Sequence, residues 1–359
     1  MASSTIFALD PRLDESIRAE ARGEVMPLAL RRFQDGWGGC ELVGAVRLAT
    51  GSLLATYHQR FPSASPVVRV SRLCEVIGVR LTGLRPALRG GLPYIAPGMP
   101  SRQLGHSGVV HFSGQGIPCV EIPDGIDGYR ARVAAAHELG HVLLHKRGDK
   151  YDEVTTRLPA SAHEEAIAEY AARLLLLPSR NARASNLASY AVRLASEGEV
   201  TVHAATCRLG DPDQDYPLLR GAVLWRLNPK IRDASTLAER LTPAWHLCPG
   251  AFVPIGRCKA RVGSLIDEVA SESTSAGGVR TEEVSIGSLR GTFRVHAFAW
   301  GSVPVRTRLV LSVFEALVDA RFKDCEVSAA PIVNGLSEIA NHAVPIRGDE
   351  QPALGDGWL

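Results

Sequence analysis

The apolar positions of this chain predict helices over most of its first 210 residues and strands over most of the region after residue 215. An apolar side over residues 14–33 predicts an amphipathic helix in which Gly23 and Pro27 are potential breaks. Residues 41–58 and 67–79 show the same helical pattern. We therefore expect the chain to begin with a helical region.

Alternation of apolar and polar residues marks the predicted strands. Residues 108–112 and 117–122 flank a short link of Ser, Gly and Gln, which predicts a β-hairpin. Residues 266–273 predict a short helix or loop, followed by a break at Gly277 and Gly278. The last third of the chain is predicted to hold four strands, at residues 221–227, 281–286, 291–300 and 303–312.

The segment over residues 130–145 carries the clearest candidate chemistry. It lacks proline and is rich in Ala and Leu, which predicts a helix. Residues four apart on a helix lie on one face, so His137 and His141 can hold one metal ion. Glu138 then lies beside the open coordination position of a catalytic zinc site, where it can take a proton from a water molecule. An unpaired buried charge is costly, so Glu138 is either exposed or functional.

A second predicted helix offers a third ligand, since zinc in hydrolytic sites takes three protein ligands and a water. Ser161 and Glu164 form a capping box that marks the start of this helix. Glu165 could complete the zinc ligands, with Glu164 and His163 as competing candidates. Glu169 lies on the same face as Glu165 and could hydrogen-bond a ligand imidazole.

Other polar residues near the motif fit such roles less well. His145 is best interpreted as a helix-end histidine that interacts with the last carbonyls. His111 on the hairpin and Tyr151 after the helix are candidate oxyanion stabilisers. Cys248 and Cys258 are too widely spaced to indicate a second metal site.

These two helices resemble the ImmA/IrrE family of metallopeptidases. The family pattern is a His-Glu-Leu-Gly-His helix, then a Glu-x-x-Ala-Asn helix that closes in Leu-Leu-Met-Pro. The corresponding segments here are residues 136–145, 165–169 and 171–178. Glu169 stands where the family has Asn, and Leu177 where it has Met. The resemblance covers roughly residues 67–209, under half of the chain.

The resemblance implies a small zincin-like domain and a zinc-dependent, often highly selective endopeptidase. Known members of the family act on helix-turn-helix repressors in mobile elements and stress responses. By this match His137, His141 and Glu165 are the zinc ligands and Glu138 is the general base. The expected partner is a protein substrate, namely a transcriptional repressor.

Composition limits the other classes of function. At 359 residues the chain is long enough for two or three domains, and its net charge of +2 is too small to indicate nucleic acid or a membrane by itself. Seven scattered cysteines without a C-x-x-C pair indicate neither a disulfide framework nor a thiolate zinc site. The first ten residues lack the features of a signal peptide, and no apolar run approaches the roughly 20 residues that cross a bilayer. We therefore expect a cytoplasmic protein without membrane contact.

Residues 184–196 and 201–209 predict two helices with helix-turn-helix spacing. Such a pair can place its second helix in a DNA major groove. However, that helix offers only Arg208 and a few hydroxyls as contacts, so DNA binding is weakly supported. We expect this pair to have a packing or substrate-docking role.

We expect an α+β protein with five parts. These are an N-terminal helical extension (1–65), the metallopeptidase domain (66–180), the helix-turn-helix-like segment (181–212), a C-terminal α/β domain for sensing or partner recognition (213–343) and a disordered tail (344–359). The predicted function is an intracellular zinc endopeptidase that cleaves a specific repressor in a stress-response or mobile-element circuit. The alternative is a DNA-binding or antitoxin-like regulator whose metal site is structural.

Overall fold

The chain forms helices and short strands up to residue 209, and the region after it forms one larger sheet with short helices. A computed structural model describes residues 8–62, 67–83, 109–112, 117–122, 128–147, 150–151, 160–177, 184–214, 219–228, 231, 236–247, 259–272, 274–286, 289–300 and 309–317. The helices are α1 Pro11–Ala21, α2 Leu28–Gly36, α3 Leu42–Arg60, α4 Val70–Ile77, α5 Gly128–His145, α6 Ala162–Leu176, α7 Leu187–Gly198, α8 Val202–Leu209, α9 Leu237–Arg240 and α10 Leu265–Ser271. The strands are β1 Arg80–Thr82, β2 Val109–Phe112, β3 Pro118–Glu121, β4 Lys146–Arg147, β5 Lys150–Tyr151, β6 Leu219–Leu227, β7 Leu241–Leu247, β8 Ala276–Ile286, β9 Leu289–Trp300 and β10 Leu309–Ala316.

The amphipathic pattern over residues 14–33 is divided between two helices. Asp10 caps α1 by accepting a hydrogen bond from the N–H of Arg12, and α1 ends at Ala21. Gly23 follows with a φ of +72°, a left-handed conformation that glycine adopts without steric cost. Pro27 precedes α2 and fixes the backbone at its entry. Both potential breaks therefore act, and the pattern forms two helices instead of one.

A three-stranded sheet lies next to α5. Its strand order is β1-β3-β2, so the predicted hairpin of β2 and β3 is present. The parallel strand β1 was not predicted, because its three residues continue into a Gly- and Pro-rich segment that has the composition of a loop. β2 lies at the edge of this sheet.

A five-stranded sheet in the order β7-β6-β10-β9-β8 forms the C-terminal part, and each of its neighbouring strand pairs is antiparallel. One face packs against α7 and α8, where Leu224, Phe298 and Leu311 share a hydrophobic core with these helices. The other face packs against α10, which contributes Leu265 and Val269 to a second core. The α+β class is confirmed, and the first core joins the region of α5 and α6 directly to the C-terminal sheet.

The predictions for the C-terminal region differ from the structure at two places, and two of the predicted segments lie outside the described residues. Gly277 and Gly278 do not break the chain but lie within β8, where a Cβ would come within about 3 Å of the side chains of Asn186 and Leu265. β7 was not predicted, and its Pro243 stands at the register shift against β6. Residues 303–308 and 344–359 lie outside the described residues.

The boundaries between the five predicted parts of the chain stay a prediction. In the part of the chain that is described, no helix is long and apolar enough to cross a membrane.

Candidate metal centre

Helix α5 brings the two predicted histidine ligands together. The rings of His137 and His141 lie with their centroids 4.8 Å apart and their planes nearly perpendicular. Their Nε2 atoms are 3.1 Å apart and both side chains are mostly buried. Four residues of helix therefore present two imidazole nitrogens to one point, as the spacing predicts.

Glu165 on α6 reaches the same point from the neighbouring helix. Its Oε2 lies 3.1 Å from Nε2 of His137, and its Oε1 lies 3.5 Å from Nε2 of His141. Ligand atoms around a tetrahedral zinc are about 3.3–3.5 Å apart, because each bond is about 2.0–2.2 Å long. The three separations and the two-nitrogen, one-oxygen donor set thus fit a zinc ion, and no backbone rearrangement is needed to bring the donors together.

The two competing ligands are engaged elsewhere. The carboxylate of Glu164 accepts a hydrogen bond from the N–H of Ser161 at 2.7 Å and closes the predicted capping box. Nδ1 of His163 lies 3.0 Å from Oγ of Ser16 on α1. Among the described residues, the group that can hold a metal ion consists of His137, His141 and Glu165.

Gly140 sets the separation of the two helices that carry these ligands. A Cβ at Gly140 would lie 2.4 Å from the carbonyl oxygen of Ala168 and 2.8 Å from its Cα. Any larger residue would therefore clash with the backbone of α6. This close approach, one turn from Glu165, allows a short carboxylate side chain to reach both imidazoles.

The charges at the site favour an ionised carboxylate beside a protonated imidazole. Burial alone would lower the pKa of His137, but the hydrogen bond with Glu165 and the charges of Glu138, Glu165 and Glu169 outweigh it and raise that pKa. Burial alone would raise the pKa of Glu165, but its hydrogen bonds with His137 and His141 hold it far below its ordinary value. The negative charges around His137 thus favour a cation at this position.

Glu138 is buried beside the first histidine. Its exposed fraction is 8%, and its charge contributes to the raised pKa of His137. The location fits the predicted general base, which stays a proposal.

The comparison with known families agrees with this geometry. Residues 100–209 match the peptidase M78 family model, described as the IrrE N-terminal-like domain. This part of the chain is an IrrE N-terminal-like domain of the ImmA/IrrE type. The domain implies a metallopeptidase-type or IrrE-like regulatory function.

Two other comparisons add little. No curated protein matches the chain. A solved structure titled "Mycobacterium tuberculosis transcriptional regulator" is similar over 81% of this chain and 82% of that chain, with 10% sequence identity. Its TM-score of 0.37 is too low to establish a shared fold.

Glu169 has a different partner in the IrrE N-terminal-like domain from the one predicted. Its Oε1 lies 3.7 Å from Nη1 of Arg173, one turn along α6. Among the described contacts it has no hydrogen bond to His137 or His141, so its influence on His137 is through charge. The reason is that the buried guanidinium of Arg173 lies one turn away on the same face of the helix.

Sequence reasoning missed the charge cluster to which Arg173 belongs. Its guanidinium donates to Asp211 from Nε and Nη2, at 2.8–3.2 Å, and to Asp10 from Nη1 at 3.0 Å. All three residues are buried. The partners are 38 and 163 positions from Arg173 in the chain, so no local pattern could indicate the pairing. The cluster fixes the N-terminal segment to the helix that carries Glu165.

The second helix of the helix-turn-helix-like pair is not available to DNA in this arrangement. The side chain of Arg208 is 2% exposed. It donates to Asp213 and to the carbonyl oxygen of Leu177. The other buried residues of α8 are Val202, Ala204, Ala205, Thr206, Cys207 and Leu209. The one basic contact proposed for DNA thus serves packing.

The remaining candidates do not join the centre. His145 is buried at the end of α5 and is not part of the metal-binding group found among the described residues. The backbones of His111 and Tyr151 lie in β2 and β5, but their side chains lie outside the description. Cys248 and Cys258 lie outside the described residues.

Proposed function

We propose that this chain is a zinc-dependent endopeptidase that cuts a specific protein partner, a helix-turn-helix transcriptional repressor. The observation that carries the proposal is the convergence of His137, His141 and Glu165 at tetrahedral spacing, with Glu138 buried beside them. A structural zinc site does not require a carboxylate base next to its ligands.

The proposed zinc ligands are His137, His141 and Glu165. When bound, zinc supplies Lewis-acid polarisation of the scissile carbonyl and of the attacking water. Glu165 neutralises part of the metal charge, and α5 orients both imidazoles. The close contact at Gly140 holds these donors at fixed separation.

Glu138 is the proposed general base. It would accept a proton from the attacking water and pass it to the departing amine. Because the side chain is buried, its carboxylate is kept from bulk water and is held beside the two histidines. Neutral Gln has nearly the same shape but cannot accept the proton.

The edge strand β2 offers a place for an extended substrate segment. It pairs with β3 on one side and lies at the end of the strand order, close to α5. An extended peptide can add to such an edge through backbone hydrogen bonds. The choice of a repressor as the partner rests on the IrrE-like domain and on the family resemblance.

The test is cleavage of purified helix-turn-helix repressors from the same genome by the zinc-loaded full chain, followed by intact-mass measurement. We expect one repressor to be cut at a defined bond. Glu138→Gln should keep its zinc and lose the cleavage. Normal cleavage by Glu138→Gln would rule out its role as base, and a zinc-loaded chain that cuts none of the repressors would rule out the substrate class.

The alternative, a DNA-binding or antitoxin-like regulator with a structural metal site, has less support. Its main DNA contact, Arg208, is buried in the described structure. Binding to duplex DNA that weakens steeply with salt and leaves repressors uncut would favour it.

A further inference from the structure

A cavity of about 320 Å³ lies between the start of α7 and the C-terminal sheet, far along the chain from the metal ligands. Arg294 and His296 are two residues apart on β9 and so point to the same face of the sheet. Glu315 on β10 is directly opposite Arg294, and Val279 on β8 is directly opposite His296. Charged and apolar side chains thus meet in one open space.

His296 lines the cavity as a neutral side chain that is hydrogen-bonded on both sides. The N–H of Leu187 donates to Nδ1 of His296 at 3.2 Å, which makes that nitrogen an acceptor. The hydrogen of the neutral ring is therefore on Nε2, which donates to Oε2 of Glu315 at 3.3 Å. Burial also lowers the pKa of His296, although Glu315 acts in the opposite sense. The imidazole is neutral and holds the Glu315 carboxylate in place.

Arg294 and Glu315 form a positive and a negative group side by side. Nη1 of Arg294 donates to Oε2 of Glu315 at 3.3 Å, and the guanidinium side chain is 52% exposed. Oε2 thus accepts from both His296 and Arg294. Among the described residues, Arg294 makes this contact through one of its nitrogens, and Glu315 makes both contacts through one of its oxygens. The remaining nitrogens of Arg294 and the other oxygen of Glu315 have no partner among the described residues.

The other described residues of the lining are small or apolar. Ala184 and Leu187 come from the entry to α7, Val279 comes from β8, and Ser185 adds one hydroxyl. Val279 is 42% exposed, so its side chain offers apolar surface to the cavity. The volume is at the lower end of the range for small-molecule sites.

We infer that this cavity binds a small zwitterion, an α-amino acid with an aliphatic side chain. The ligand carboxylate pairs with Arg294 in the forked geometry that guanidinium favours. Its ammonium pairs with the open oxygen of Glu315, and its side chain covers Val279 and Leu187. Charge decides between ligand classes, because the pair of Arg294 and Glu315 is neutral overall. A simple carboxylate or a simple amine would leave one unbalanced charge in a partly enclosed site.

The test is calorimetric titration of the full chain with L-leucine and with two analogues that each lack one charge, 4-methylpentanoate and 3-methylbutylamine. We expect saturable binding of L-leucine, with each analogue weaker by on the order of tenfold or more. Arg294→Gln and Glu315→Gln should each weaken L-leucine by a similar factor. In Glu315→Gln the amide oxygen can still accept from His296, so the sheet should fold.

Arg226→Gln is the matched control, since Arg226 is an exposed arginine on β6 of the same sheet and does not line the cavity. It should bind L-leucine as the parent does. Absence of saturable L-leucine binding would overturn the inference. So would 4-methylpentanoate that binds as tightly as L-leucine, or full binding by Arg294→Gln. None of these results depends on metal at the other site, so the outcome is independent of the peptidase proposal.

Discussion

Gly140→Ala tests whether the spacing of α5 and α6 sets the zinc affinity, because it changes that spacing and leaves every proposed ligand in place. The added Cβ would lie 2.4 Å from the carbonyl oxygen of Ala168, whereas ordinary van der Waals contact begins at 3.4 Å. Both atoms of the clash belong to helix backbones or are fixed to them. The helices must therefore separate by about 1 Å at this point.

A separation of this size is large for a metal site. Ligand distances in such sites hold to about ±0.2 Å, so Glu165 on α6 would no longer match the two histidines on α5. We expect zinc affinity to fall by on the order of 10- to 100-fold, as when ligands are kept but lose their orientation. The gain in helix propensity, about 1 kcal/mol, opposes an overpacking cost of about 1–3 kcal/mol, so the metal-free protein should be slightly destabilised.

The assay is competition for zinc with a chromophoric chelator, together with denaturant unfolding of the metal-free chain. Gly51→Ala is the matched control, because Gly51 is exposed in the middle of α3 and an added Cβ there meets no atom within 4 Å. It should gain up to about 1 kcal/mol of stability and leave zinc affinity unchanged. If Gly140→Ala gains stability in the same way and binds zinc as tightly as the parent, the contact does not set the site geometry.

Two other predictions concern stability. Arg173→Met removes the cation of buried Asp10 and leaves Asp211 with Arg208 alone, so it should cost about 3–5 kcal/mol in denaturant unfolding. Arg193→Met, which removes an exposed ion pair, should cost under about 1 kcal/mol, and equal effects would contradict the buried cluster. Acidification from about pH 7 to about pH 5.5 should destabilise the metal-free chain, because burial lowers the folded-state pKa of three histidines. The unfolded chain then binds more protons than the folded chain as the pH falls through the ordinary value of 6.5. His137, whose pKa is raised, acts in the opposite sense over this range, and we expect the three lowered histidines to outweigh it. A midpoint that rises on acidification would refute this. The three histidines whose pKa is lowered by burial are His203, His246 and His296.

The helices and the hairpin around the centre could be predicted from the sequence, because each is determined by residues that lie close together in the chain. The four-residue spacing of His137 and His141 places both rings on one helix face. The capping box at Ser161 sets where α6 begins, and therefore which way Glu165 points. Both helices and the hairpin are present as predicted.

Long-range features could not be predicted in the same way. Glu165 could be distinguished from His163 only after α1 was seen to occupy His163 through Ser16. The pairing of Arg173 with Asp10 joins residues 163 positions apart, and single residues such as Asp10 carry no sign of a distant partner. In β8, a glycine is favoured at position 277 because neighbouring side chains approach the backbone closely. In the sequence, however, two adjacent glycines look the same whether they end an element or lie within a strand.

The most direct test of the central claim is the zinc content of the untagged full chain, measured by elemental analysis after purification without chelator, alongside Glu165→Gln and Glu164→Gln. Glu164→Gln is a sensitive control, since Gln also closes a capping box and α6 should stay folded. The proposed centre predicts about one zinc in the parent and in Glu164→Gln, and a marked loss in Glu165→Gln. A parent that binds no zinc even when it is supplied, or a Glu165→Gln variant that keeps it fully, would contradict the proposed centre.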